Sequence, residues 1–196
     1  FAPSLIPSTR SHLPSSGLGG SEITREREMT IRDDVREAGQ WLAENSLGFR
    51  EINKDVKVGI TYFVLIWSLF DFRFLGARGN LQEVLTFIEH IEPNQDVQSF
   101  MPHMEYFRDR YLDGGTGNHH LDALAWNDYR SRNELVGYLR QLDPTPREVV
   151  GALLLISYRL RCNLIHGSKW EHGLADQYEN FRHATKAMML LMDRCR

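Results

Sequence analysis

The sequence has few cysteines, no apolar run long enough for a membrane, and no large excess of charge of one sign. Two cysteines among 196 residues are too few for a disulfide scaffold and predict a cytoplasmic protein. The longest uncharged apolar run, residues 58–70, has 13 residues, whereas a bilayer needs about 20. We therefore expect no membrane partner. A net charge of −3 excludes a protein coated in basic residues for non-specific nucleic-acid binding.

The beginning of the chain differs in composition from the rest. Residues 1–28 are rich in serine, proline and glycine and have neither the basic start nor the apolar core of a signal peptide. We expect a flexible N-terminal tail or a non-native remnant there, followed by one domain over residues 29–196. A domain of that length buries roughly two thirds of the surface that its unfolded chain exposes.

Apolar residues recur at helical spacing along most of the domain. This pattern predicts an all-α helical bundle with no strand pair, and a loop over residues 113–119, where glycines are frequent. The predicted helices cover residues 31–48, 53–76, 81–91, 121–142, 146–166 and 173–195.

Two of these helices have clear start signals. Asn53 is a good N-cap for the second helix. Thr145, Pro146 and Glu148 form the capping pattern expected at the start of the fifth. The second helix is apolar on nearly every face, which predicts that it is covered on all sides, either in a core or at a subunit interface.

The segment most informative about chemistry is residues 158–169, YRLRCNLIHGSK. Residues 147–169 hold four basic residues and one acid in an otherwise acidic chain. At about 100° per residue, Arg159, Asn163 and His166 share one helix face, and Arg161 lies about 140° from His166. A histidine at a helix C-terminus beside a guanidinium can serve acid–base catalysis and bind an anion. The same residues can equally satisfy the last carbonyls of the helix.

The run from Arg161 to His166, followed by Gly-Ser-Lys, resembles the R-x4–6-H signature of the HEPN superfamily in its R-x-N-x-x-H-G form. HEPN domains are α-helical bundles in which this motif lies near the end of the penultimate long helix. The predicted helix order is the same here, and Trp67-Ser-Leu-Phe-Asp71 resembles the polar, aromatic-rich early helix of that family. The resemblance covers residues 30–196.

The resemblance implies a metal-independent endoribonuclease that needs no cofactor and acts as a homodimer, with two motifs meeting in one cleft. His166 would act as acid–base on the ribose 2′-OH or the leaving 5′ oxygen, and Arg161 would stabilise charge on the phosphate. The products would be a 2′,3′-cyclic phosphate and a 5′-OH. A toxin or defence role, with an antitoxin or regulatory partner, is a further implication.

Several supporting residues are candidates with alternatives. The polar residue common after the family's arginine is replaced by Cys162, so Asn163 is expected to take its role. Arg159 also fits the R-x4–6-H spacing, because six residues separate it from His166, and it is a candidate catalytic, supporting or RNA-binding residue. Lys169 is expected to be a further RNA contact. Asp71 either orients the arginine or histidine or is a solvent contact at a helix end. Because many HEPN domains are inactive, a silent dimerisation or nucleotide- or protein-binding module is the alternative function.

Overall fold

Local capping signals set where two of the longest helices begin. The computed structural model describes residues 20–93, 96–166 and 174–195. The Asn53 side chain accepts a hydrogen bond from the Val56 amide, and the Thr145 and Glu148 side chains form a reciprocal capping box with Pro146 in the first turn. Both predicted helix starts are confirmed.

The described residues are mostly helical. The α-helices are α1 (Gly20–Asn45), α2 (Leu47–Glu51), α3 (Lys54–Phe74), α4 (Leu81–Glu89), α5 (Met101–Tyr111), α6 (His119–Ala125), α7 (Tyr129–Leu139), α8 (Pro146–Ile165) and α9 (Tyr178–Arg194). Short 3-10 turns, Gln98–Phe100 and Ala175–Gln177, precede α5 and α9. None of the helices within the described ranges is long and apolar enough to cross a membrane.

Contacts divide the chain into two units, residues 1–45 and residues 46–196. In the first unit, α1 begins at Gly20, earlier than the periodicity predicted, and its side chains Ile31, Val35 and Trp41 are exposed. The second unit has α8 at its centre, where α8 packs against α4, α5, α7 and α9. Nearly every side chain of α8 between Val149 and Leu164 is buried as a result.

The helix predicted over residues 121–142 is wrong as a single element. The structure has α6 and α7 instead, joined by a sharp corner at which Trp126 and Asn127 have φ angles of 42° and 61°. L-residues seldom adopt this left-handed conformation, so helical periodicity alone does not predict it. The packing of the corner against α8, described below, holds it in place.

The expectation of no strand pair is also wrong in detail. Leu112–Asp113 (β1) and Thr116–Gly117 (β2) form a two-residue antiparallel ladder. Gly114 and Gly115 make the turn with φ angles of 56° and 84°, which glycine adopts at little cost. Helix α5, which precedes this hairpin, was not predicted from the sequence.

Helix α3 has two different apolar faces. Val56, Phe63, Trp67 and Phe70 are buried in the core, and Phe63 and Trp67 contact Phe181 of α9 and Tyr158 of α8. The other face carries apolar side chains that are exposed in this chain. The sequence predicted that this helix is covered on all sides, in a core or at a subunit interface. In this chain the core covers one side of α3 only.

Candidate functional site

The C-terminal half of α8 places Arg159 against the corner between α6 and α7. Its Nη2 donates to the carbonyl oxygen of Ala125 at 2.5 Å, and its Nε donates to that of Leu124 at 3.3 Å. Its Nη1 donates to Asp128 Oδ2 at 3.1 Å. The last carbonyls of a helix lack partners within that helix. Arg159, a residue that is only 9% exposed, donates to two of these carbonyls and thereby holds the corner.

Asp128 and Asn163 complete this corner. The Asp128 carboxylate caps α7 by accepting hydrogen bonds from the Ser131 amide and hydroxyl. Burial tends to raise the pKa of Asp128, but those bonds and the Arg159 charge outweigh it, so the pKa lies below its ordinary value. The buried Asn163 Nδ2 donates to the Leu124 carbonyl at 2.9 Å. The structure thus brings Arg159 and Asn163 together around one structural joint.

Arg161 has different surroundings from Arg159. Its Nη1 lies 3.9 Å from the Sγ of Cys162, a weak contact. Its Nε is buried and has no hydrogen-bond partner within the part of the chain that the structure describes. Nearby, burial and the Cys162 thiol raise the pKa of Tyr158 to about 12. Arg161 is therefore half-buried, and apart from the weak contact with Cys162 it has no hydrogen-bond partner among the described residues.

His166 occupies the C-cap of α8. Its backbone amide donates to the Cys162 carbonyl at 2.9 Å, and its φ and ψ angles of −85° and 8° take it out of the helix. Its imidazole is exposed and makes no hydrogen bond to another described residue. The imidazole is therefore accessible to a solute at the end of α8, on the same element as Arg161.

Two further predicted site residues remain, Asp71 and Lys169. Asp71 Oδ1 accepts a hydrogen bond from the Gly79 amide at 2.9 Å, which closes the turn between α3 and α4. A Cβ at Gly79 would lie 2.7 Å from Asp71 Oδ2, so this close approach requires glycine. Neither a hydrogen bond nor an ion pair joins Asp71 to Arg161 or His166 among the described residues. Lys169 lies outside the residues that the structure describes.

A polar cluster that sequence reasoning missed joins α5 to α9. His183 Nε2 lies 2.8 Å from Arg182 Nη2, and the Nδ1 atoms of His183 and His103 are 2.9 Å apart. Because a guanidinium only donates, His183 Nε2 must accept, and its proton lies on Nδ1 and is donated to His103. Burial, followed by the charge of Arg182, lowers the pKa of His183 to about 4. Helical periodicity places His183 on α9 but cannot pair it with His103, 80 residues away.

An open cleft of about 470 Å³ lies beside this cluster, between α5 and the start of α6. Tyr106, Asp109, Arg110, His119 and His120 line it, together with Asp113 and Asn118. Acidic and basic side chains are mixed in this cleft. No group of three or more histidine, cysteine or carboxylate side chains arranged to hold a metal ion occurs among the residues described.

Comparison with family models, with curated proteins and with solved structures found no match to this chain. The geometry at the end of α8 is therefore the basis for any functional assignment.

Proposed function

We propose that this protein is a HEPN-like endoribonuclease that cleaves RNA without a metal ion, using Arg161 and His166. The observation that carries the proposal is the contrast on α8 between Arg159 and Arg161. Arg159 donates hydrogen bonds to Leu124, Ala125 and Asp128, whereas Arg161 makes only a weak contact with the Cys162 thiol among the described residues. Arg161 is thus the motif arginine able to bind a phosphate, and Arg159 is assigned the positioning of the corner.

The chemistry needs a base, an acid and a group that stabilises negative charge. His166 takes the proton from the ribose 2′-OH, whose oxygen attacks the phosphorus. The bond from phosphorus to the 5′ oxygen breaks, and that oxygen leaves with a proton from a second imidazolium. Arg161 donates to the phosphate oxygens as the phosphorus becomes five-coordinate. The products are a 2′,3′-cyclic phosphate and a 5′-OH, and DNA cannot react because it lacks the nucleophile.

A site made by two copies of the chain suits the positions of these residues. On an ideal helix Arg161 and His166 project about 140° apart, so one α8 does not aim both at the same phosphate. When two α8 ends face each other, the Arg161 of one copy can lie beside the His166 of the other. Two motifs also double the local positive charge in a chain whose net charge is −3, which favours the binding of RNA.

The test is incubation of the purified protein with single-stranded RNA and the matching DNA in excess EDTA. We expect RNA-only cleavage that leaves cyclic phosphate ends. Rates should fall at least about a hundredfold in Arg161→Ala and in His166→Ala. Matched controls are Arg140→Ala and His90→Ala, which change an exposed arginine and an exposed histidine at the C-caps of α7 and α4. Intact RNA with a folded protein, or equal cleavage by both motif variants, would overturn the proposal.

A cellular test addresses the toxin or defence role. Uncontrolled cleavage of cellular RNA stops growth, so expression of the wild type is expected to arrest cells while His166→Ala leaves growth unaffected. An antitoxin or regulatory protein would then be found as a partner whose co-expression restores growth. Arrest by both proteins would show that the effect does not depend on His166.

A catalytically silent module that acts by dimerisation or by binding a nucleotide or a protein is the second candidate. The exposed apolar face of α3 favours it, because such a face on a folded chain marks an interaction surface. This candidate predicts a folded protein that leaves RNA of varied sequence intact.

A further inference from the structure

Five exposed apolar side chains follow one line along α3. They are Val58, Tyr62, Leu65, Leu69 and Phe72, with exposed fractions of 43%, 58%, 58%, 40% and 72%. Their spacing alternates between four and three residues, which is the spacing of the a and d positions of a coiled coil. We call these five residues the α3 stripe. The opposite face of α3 packs in the core, so the stripe is held on a rigid helix.

The stripe is large enough to form the centre of an interface. From the usual areas of such side chains and their exposed fractions, it presents roughly 500 Å² of apolar surface. Two such stripes buried against each other remove about 1,000 Å² from water, the lower bound for a specific protein interface. A single partner helix of matching pattern and length is therefore sufficient to cover it.

Charges at the two ends of the stripe determine which partner fits. Asp55, three residues before Val58, and Arg73, directly after Phe72, are both exposed. Neither forms an ion pair with another described residue. A second α3 in parallel orientation would place Asp55 beside Asp55 and Arg73 beside Arg73, which repel. In antiparallel orientation each Asp55 meets the Arg73 of the other copy.

We propose that the α3 stripe binds the α3 stripe of a second copy of this chain, with the two helices antiparallel. The register that alternates a and d positions sets Tyr62 of one copy opposite Leu65 of the other, and Val58 opposite Leu69. Asp55 then lies beside Arg73 at both ends. The pairing is inferred from the stripe and its end charges, and does not depend on the activity being RNA cleavage.

The pairing also has a consequence for the end of α8. Close approaches of Gly59 to Tyr178 and of Phe63 to Phe181 show that α3 runs parallel to α9. Trp67 contacts Tyr158 on α8. Val150, earlier on α8, lines the same small cavity as Leu191 near the end of α9, so α8 runs antiparallel to α9. Residues near Cys162 therefore lie level with Phe63 along α3, at the height of the twofold axis of the proposed pair. Both motif-bearing helix ends then lie at the same level along the α3 pair.

The first test is the molar mass of the full chain in solution, by light scattering and by sedimentation equilibrium over a range of concentrations. We expect a dimer that Leu65→Glu converts to a monomer. The matched control is Leu142→Glu, at a leucine that is 91% exposed outside the stripe. Circular dichroism checks that both variants are folded. A wild-type monomer at every concentration, or a dimer that survives Leu65→Glu, overturns the proposal.

Charge exchange tests the orientation. Asp55→Arg and Arg73→Asp, made singly, should each weaken dimerisation roughly tenfold at low salt, because each places like charges at both ends of the pair. The double variant should recover to within about threefold of the wild type. Each change is unfavourable to the α3 dipole, so recovery cannot come from helix stability. A double variant weaker than either single one rejects the antiparallel pair.

The two proposals fail in different ways. A dimer that Leu65→Glu disrupts, but that leaves RNA intact, removes the ribonuclease and keeps the interface. A dimer that survives Leu65→Glu and cleaves RNA with loss in Arg161→Ala removes the α3 interface and keeps the ribonuclease.

Discussion

Arg159 and Arg161 lie two residues apart on α8, yet only Arg159 donates hydrogen bonds to the corner between α6 and α7 among the described residues. Arg159 donates to two carbonyls and a carboxylate at the α6–α7 corner, whereas the Nε of Arg161 is buried without a partner among the described residues. Two histidines differ in the same way, because His183 is hydrogen-bonded in the core and the imidazole of His166 is exposed. Basic residues that the fold engages contribute to stability, whereas Arg161 and His166 have few contacts among the described residues and are the groups that we propose bind RNA.

Substitution of the two arginines is expected to give the largest difference. Arg159→Met leaves the Leu124 and Ala125 carbonyls without their donor and the Asp128 carboxylate without its counter-charge. We expect a loss of about 3–5 kcal/mol in the free energy of unfolding, measured by urea denaturation. Arg161→Met should cost less than about 1 kcal/mol. Equal losses in the two variants would contradict the division between an engaged and a free arginine.

Asn163 tests how much of the corner's stability comes from side chains other than Arg159, because both residues donate to the Leu124 carbonyl. Asn163→Ala removes this buried hydrogen bond, and we expect a loss of about 2 kcal/mol in the free energy of unfolding. The control is Asn133→Ala on the exposed side of α7, which should change stability by less than about 0.5 kcal/mol. A small effect at Asn163 would mean that Arg159 alone holds the corner.

The pH dependence of stability reports on the buried environment of His183. The folded-state pKa of His183 is about 4, below the ordinary value near 6.5, so the unfolded chain binds the extra proton first as the pH falls. The stability that neutral His183 contributes is complete above about pH 6.5 and is lost progressively as the pH falls through 4.

The difference between wild type and His183→Gln measures this contribution. We expect the wild type to lose on the order of 1–2 kcal/mol more than the variant between pH 7 and pH 4. His103, Arg182, Glu179 and Lys186 face the same cluster and remain in both proteins. Parallel pH profiles for the two proteins would show that protonation of His183 is not opposed by the fold.

His166→Ala is expected to give the smallest effect on stability. Its imidazole is exposed and has no hydrogen bond to a described residue, so the free energy of unfolding should change by less than about 0.5 kcal/mol. Thermal melts at pH 7 test this. A loss above 1 kcal/mol would assign His166 a structural role at the end of α8, and a loss of RNA cleavage in that variant would then need a second variant to interpret.

Features that depend on neighbours in sequence were predictable. The Asn53 cap and the Thr145 capping box act over three residues, so their side-chain types and spacing specify the helix starts. The same is true of the mostly helical character, because apolar spacing records which side of each helix is covered. The corner at Trp126 and Asn127 was not predictable, since it depends on Arg159, more than 30 residues along the chain.

The candidate site shows the same limit. Residue types and spacing along α8 indicate an arginine and histidine motif and leave two arginines as alternatives. They also predict that α3 is covered, without telling a core from an interface. Only packing separates the engaged Arg159 from Arg161, and the buried face of α3 from the α3 stripe.

The sequence by itself determined the helices with strong caps, the basic character of the end of α8, and the residues able to perform acid–base chemistry there. These follow from local hydrogen bonds, apolar period and charge, which act between residues close along the chain. The tertiary structure alone decided which basic groups are satisfied and which apolar face is left exposed. Those outcomes depend on partners brought together from distant segments, such as Leu124 with Arg159 and His103 with His183.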